Sequence, residues 1–183
     1  SMIIDALGEM GNIKAVPMLL KRLDSSPTAL RNKILRAIVR IMGSRTLSLL
    51  SADEQEKFRM YLLVALEDEE TEIQDAAIAG LGYVGDAQAT ARILALTAQL
   101  DVDHDLERVS NAVSALVGIG INAALADGLQ GEAEGTLLVA ISVLEKIATP
   151  EAVGLLIGAF ADRSRDIQRS LCTSIGRIGG LEA

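Results

Sequence analysis

Asp101-Val102-Asp103-His104-Asp105 is the stretch of this chain that comes nearest to a chemical motif. Alternating carboxylates open calcium-binding loops, and a histidine among them adds a nitrogen donor. The register then fails, because Leu106 stands where the sharp turn needs glycine and Ala112 where a bidentate glutamate is needed. His104 is the single histidine, with no serine or cysteine arrangement nearby to activate, so histidine-based nucleophilic catalysis is not expected. The stretch reads instead as a loop beside helix-capping aspartates. Gly118-Ile119-Gly120 follows a helix rather than a strand and lacks the third glycine of a phosphate-cradling loop. Cys172, the one cysteine, excludes an internal disulfide framework and a cysteine-rich zinc site, and its helical context predicts a small buried group. The acidic run 67–72 reads as solvated charge at a helix N-terminus. No catalytic residue, metal site or cofactor is expected from these patterns.

What remains is recognition by side chains held on a frame, and the frame has a sequence signature. The pattern aliphatic-x-x-aliphatic-glycine recurs as Leu7 to Gly11, Val39 to Gly43, Leu81 to Gly85, Leu116 to Gly120, Leu144 to Ala148 and Ile175 to Gly179. Only the copy ending in Ala148 lacks the glycine. The final positions are 32, 42, 35, 28 and 31 residues apart, intervals that mark a stacked array of supersecondary units. Each copy closes an apolar helical stretch, so the glycine is expected to end the helix in the left-handed conformation.

The helices between these stops follow from local signals. Pro17 suits the first turn of a helix reaching Leu23, where no internal donor is lost. Ser26 and Pro27 read as cap and first residue of the next, whose Leu30, Ile34, Ile38 and Ile41 recur at helical spacing. Extra length at 44–53 predicts a longer loop or an added turn. Ser51 with Glu54 and Thr71 with Gln74 have capping-box spacing. Helices are then expected over 87–100, 106–119, 136–147, 150–160 and 167–178. The glycine-rich segment 120–135 interrupts them, and a bend or hinge is expected there.

Composition agrees with this frame. Half of the 183 residues are apolar and only 2% aromatic, without tryptophan, which suits close-packed helices better than a sandwich or barrel. The formal net charge of −8 argues against a nucleic-acid-binding surface. The uncharged run 109–126 reaches the length of a membrane span, but Ser110, Asn111, Ser114 and Asn122 interrupt it and Gly118 and Gly120 end a helix inside it. A single cysteine and no secretory leader point to a reducing, cytoplasmic setting. A serine precedes the first methionine, and neither end resembles a capping repeat, so the chain is expected to be one repeat domain, 1–183, from a longer protein.

Ala15-Val16-Pro17-Met18-Leu19-Leu20, then Leu23-Asp24, then Leu30-Arg31, then a helix closing on the glycine signature, resembles HEAT repeats, especially the short bacterial type also found in phycobilisome lyases. An aspartate five residues before an aliphatic position recurs as Asp68 to Ile73, Asp101 to Leu106 and Asp162 to Ile167, with Asp24 to Leu30 one longer. Arg31 fits the family's arginine after that aliphatic residue, whereas Gln74, Glu107 and Gln168 replace it. The resemblance implies an all-α, right-handed α-α superhelix of about five helix pairs whose second helices line a partner-binding groove. Aligning those helices on the signature yields an outward stripe of Asp75-Ala79-Tyr83, Ser110-Ser114-Gly118, Leu138-Ser142-Lys146 and Arg169-Thr173-Arg177. Ile4, Ile78, Val113, Ile141 and Cys172 fall on the expected buried side. In the second repeat the outward face shifts by one residue to Lys33, Arg36 and Arg40. Arg36, Arg40, Tyr83, Lys146 and Arg177 are the expected contacts of a protein partner or of neighbouring domains of the same chain, since arginine and tyrosine are common interface anchors. The alternative that the resemblance implies is a lyase-associated module positioning a tetrapyrrole on a client protein.

Overall fold

The computed structural model describes residues 2–161 and 163–180, apart from the side chain of Ser44. Ser1, Asp162 (one of the recurring aspartates) and the tail 181–183 lie outside the described residues. Those residues form twelve α-helices, one 3-10 turn and no strand. They divide into two compact units, Ser1–Gly85 and Asp86–Ala183.

The first unit contains α1 (Met2–Glu9), a 3-10 turn (Ile13–Ala15), α2 (Val16–Leu23), α3 (Thr28–Ile41), α4 (Ser44–Leu47), α5 (Ala52–Ala65) and α6 (Thr71–Val84). Helix α3 packs against α1, α2, α5 and α6. Its buried residues, Ile34, Leu35, Ala37, Ile38 and Ile41, recur at the spacing that makes one apolar stripe. They meet Leu20 and Leu23 of α2, Phe58 and Leu62 of α5 and Leu81 of α6 in a core that excludes solvent. The extra length after Gly43 is the added turn α4. Ser51 and Glu54 close the expected capping box: the Glu54 amide donates to Ser51 Oγ at 3.2 Å, and the Ser51 amide donates to Glu54 Oε2 at 3.0 Å.

The second unit contains α7 (Ala87–Thr97), α8 (Leu106–Ile119), α9 (Ala123–Gly128), α10 (Glu134–Ile147), α11 (Pro150–Gly158) and α12 (Arg165–Gly179). Helix α10 touches all five of the others. Six of its residues, Leu137, Val139, Ala140, Ile141, Val143 and Leu144, are buried and cover a broad face, with Leu138, Ser142 and Lys146 on the other side. The segment 120–135 holds α9, capped by Asn122, whose side chain also donates to Thr90 Oγ1 at 2.9 Å. Leu125 and Leu129 are fully buried there. Glycine is required at position 135, because a Cβ would stand 2.7 Å from the Thr97 carbonyl oxygen.

Several local expectations are corrected. Ser26 does not cap α3; its hydroxyl donates backward to the Arg22 carbonyl at 2.7 Å, and Pro27 takes the cap position. Being buried, Ser26 satisfies the open end of α2 instead. Thr71 lies inside α6, and Gln74 Nε2 donates to the Asp68 carbonyl at 2.7 Å, so no second capping box forms. The terminating glycine is left-handed only at Gly11 and Gly120. At Gly85 the chain leaves α6 in an extended conformation, and Gly179 is still inside α12. Conversely Ala148, the copy without glycine, adopts the left-handed conformation at φ 52°. The stop is set by where the chain goes next, and a left-handed exit is one solution among several.

Candidate functional site

The five residues selected from the sequence fall three in the first unit and two in the second. In the first, α3 carries Arg31, Lys33, Arg36 and Arg40 and no acidic residue, within a chain of net charge −8. Lys33 and Arg40 are exposed and Arg36 is partly buried, on the side of α3 away from Ile34, Ile38 and Ile41. With Asp5 of α1 and Ala37, these three cations line a concavity of about 150 Å³. Its floor depends on small residues: a Cβ on Gly8 would come within 3.2 Å of both Ala37 Cα and Cβ. Glycine against alanine lets α1 and α3 approach closely, and the long cationic side chains stand around the shallow floor. Arg36 Nη2 lies 3.1 Å from Glu72 Oε2 of α6. Lys33 and Arg40 have no hydrogen bond or ion pair with any described residue. Tyr83, 45% exposed in the last turn of α6, does not line this concavity.

In the second unit, Lys146 is exposed in the last turn of α10. Arg177 of α12 pairs with Glu145, its Nη1 2.9 Å from Oε1, and the Ser174 hydroxyl donates to Glu145 Oε2 at 2.6 Å. Burial by itself would raise the Glu145 pKa, but the Ser174 hydrogen bond and the Arg177 charge outweigh it and hold the carboxyl below its ordinary value. None of the twelve stripe positions is buried, from Asp75 to Arg177, whereas Ile78, Val113 and Ile141 are. Cys172 departs from that register. It is exposed, because α12 packs on α10 and α11 while Cys172 faces away from both, among the described residues.

A second polar constellation in the first unit was not anticipated. Asp24, at the C-terminus of α2, accepts from Tyr61 Oη at 2.6 Å and from Lys57 Nζ. Arg31 lies over the Tyr61 ring, 5.3 Å from its centroid, and its Nη2 donates to the Ser26 carbonyl at 3.2 Å. Hydrogen bonds from Lys57 and Tyr61 hold the Asp24 carboxyl below its ordinary range, and the same bond raises the Tyr61 phenol. The i, i+4 spacing of Lys57 and Tyr61 on α5 was visible, but nothing local identified Asp24 as their partner. Arg31, Gln74 and Gln168 share one role at the start of a second helix. Each donates to a carbonyl of the preceding turn, on Ser26, Asp68 and Phe160 respectively. The two glutamines thus make the same kind of tie that Arg31 makes in α3.

The aspartate-rich loop uses its carboxylates on itself. Asp101 accepts from the amides of Asp103 and His104 and from the His104 ring, which together lower its pKa, and Asp105 Oδ2 accepts from the Asp101 amide at 2.9 Å. Asp105 makes no side-chain cap on α8, contrary to expectation. Among the described residues no helix is long and apolar enough to cross a membrane, and the run 109–126 is divided between α8 and α9.

The chain matches no protein-family model and no curated protein. It is similar to a crystal structure of an engineered protein from the Northeast Structural Genomics Consortium, at 18% identity and a TM-score of 0.51, covering 97% of this chain and 89% of that one. At this identity the likeness is one of fold alone.

Proposed function

We propose that the chain is a non-catalytic protein-interaction scaffold of the HEAT-like type, its helix pairs continuing as a right-handed superhelix. The observation that carries this reading is the separation of roles on the second helices. In each unit these helices bury one face in the core, while their opposite face holds long or polar side chains in solvent, Arg36, Arg40 and Tyr83 in one and Lys146 and Arg177 in the other. A rigid helix presenting such residues binds by shape and charge, and needs no reactive group. A chromophore-positioning role calls for a large apolar pocket with convergent polar groups, whereas the concavity beside Arg36 and Arg40, of about 150 Å³, is lined by charged side chains.

Affinity capture on the immobilised chain, run beside an Arg40→Glu, Arg177→Glu variant of unchanged helicity, tests the reading. Recovery of a protein by the parent and its loss from the variant is the expected result. Equal recovery by both places the contact on another face, and recovery by neither removes the interaction reading. Visible absorbance after incubation with a bilin would instead favour the chromophore role.

A further inference from the structure

We infer that the concavity between α1 and α3 is a carboxylate-binding site for an acidic segment of a partner polypeptide; this rests on the interaction reading and names the chemistry of the partner. Three observations converge on it. First, Lys33, Arg36 and Arg40 lie at positions i, i+3 and i+7 of one helix around a floor of Ala37. Like charges at such spacings repel and destabilise an isolated helix by a few tenths of a kcal/mol per pair, roughly 0.2–0.5. The chain has 25 acidic residues from which to neutralise them, yet Lys33 and Arg40 meet none of those described.

Second, the surface already holds a carboxylate of its own. Glu72 lies against one nitrogen of the Arg36 guanidinium, which shows that this face accepts a carboxylate, and the three cations still outnumber Glu72 and Asp5. Third, size selects the occupant. A concavity of about 150 Å³ admits a single anionic head and not a whole small ligand, whose sites span about 300–1,000 Å³. The cation line runs seven residues, about 10 Å along the helix, longer than one carboxylate can bridge. Carboxylates three residues apart on a polyproline-II-like chain lie on one face about 9 Å apart, so one acidic side chain can engage the Lys33 end while another engages Arg40.

The test is fluorescence anisotropy of a labelled peptide of repeated Glu-Ser-Ser, with a Gln-Ser-Ser peptide as the uncharged probe. The intact chain is compared with a Lys33→Gln, Arg40→Gln variant and a Lys14→Gln, Lys21→Gln variant that removes equal charge elsewhere on the first unit. Expected are salt-sensitive binding of the glutamate peptide only, weakened at least about tenfold in the first variant and less than about twofold in the second. Thermal unfolding checks that both variants fold, and amide shift changes in α1 and α3 of the parent provide a readout that needs no variant. Equal weakening in both variants, no binding to the parent, or shift changes elsewhere would overturn the proposal. Displacement of the peptide by equimolar inorganic phosphate would overturn it in favour of a small-anion site. A chain that captures a protein partner yet ignores the acidic peptide leaves the scaffold reading standing and removes this one.

Discussion

Helices α3 and α10 are the hubs of their units, each packed against all or most of its neighbours, yet they solve burial differently. Helix α3 buries five of its fourteen residues on one stripe and exposes Lys33 and Arg40, whereas α10 buries six of fourteen over a wider arc. The reason lies in what surrounds them. Helix α10 is packed by α7, α8, α9, α11 and α12, so its buried arc is wider than that of α3, although Leu138, Ser142 and Lys146 still lie on an uncovered side. Helix α3 keeps an outward side, and on that side a side chain can be chosen for contact rather than for packing. A binding surface is therefore expected on α3, and sensitivity to substitution on α10.

The largest effect that sharpens this contrast is a core deletion. Leu144→Ala, at a position with no exposure, should lower stability by about 2–5 kcal/mol, while Lys33→Ala on α3 should stay within about 0.5 kcal/mol. Chemical denaturation followed by circular dichroism measures both, and equal losses would erase the distinction between the hubs.

Glycine contacts provide the next test. Gly135→Ala places a methyl 2.7 Å from the Thr97 carbonyl oxygen, a backbone atom that cannot rotate away. A loss of about 1–3 kcal/mol is expected. Gly8→Ala meets Ala37 at 3.2 Å, and a smaller loss is expected there. The reverse order would mean that the α1–α3 approach is the tighter constraint.

Ala148→Gly should act in the opposite direction. A left-handed non-glycine residue costs roughly 1–2 kcal/mol, and glycine gives back part of this in unfolded-chain entropy. A net gain of up to about 1 kcal/mol, read as a raised melting temperature, is expected; no gain would show that the Ala148 methyl packs usefully.

The smallest effect is electrostatic and belongs to the first unit. Asp24 has a depressed folded pKa, so the stabilisation it receives from Lys57 and Tyr61 is present above the ordinary carboxylate range and disappears as pH falls through the folded value. Tyr61 has the opposite sign: its raised folded pKa stabilises the fold below the ordinary phenol range and that contribution is lost as pH rises through the folded value. Lys57→Met should therefore be slightly less stable than the parent at neutral pH and converge with it in acid. A constant difference from neutral to acid pH, measured by denaturant unfolding, would show that Lys57 acts through packing instead.

Much of this was legible in the residues themselves. Helix composition, the stops at five of the six signatures, the capping box at Ser51 and Glu54 and the outward register of Tyr83, Lys146 and Arg177 depend on contacts within about four residues, where sequence spacing is spatial spacing. Tertiary structure alone decided the rest. Whether a helix ends left-handed, as at Ala148 and not at Gly85, depends on the direction of the next helix. Cys172 followed the buried register but lies outside because nothing described covers its face. The concavity of Lys33, Arg36 and Arg40 exists because Gly8, 29 residues before Ala37, lets two helices touch. The Asp24–Tyr61 bond joins residues 37 apart. Such pairings are fixed by packing between elements, and no local period records them.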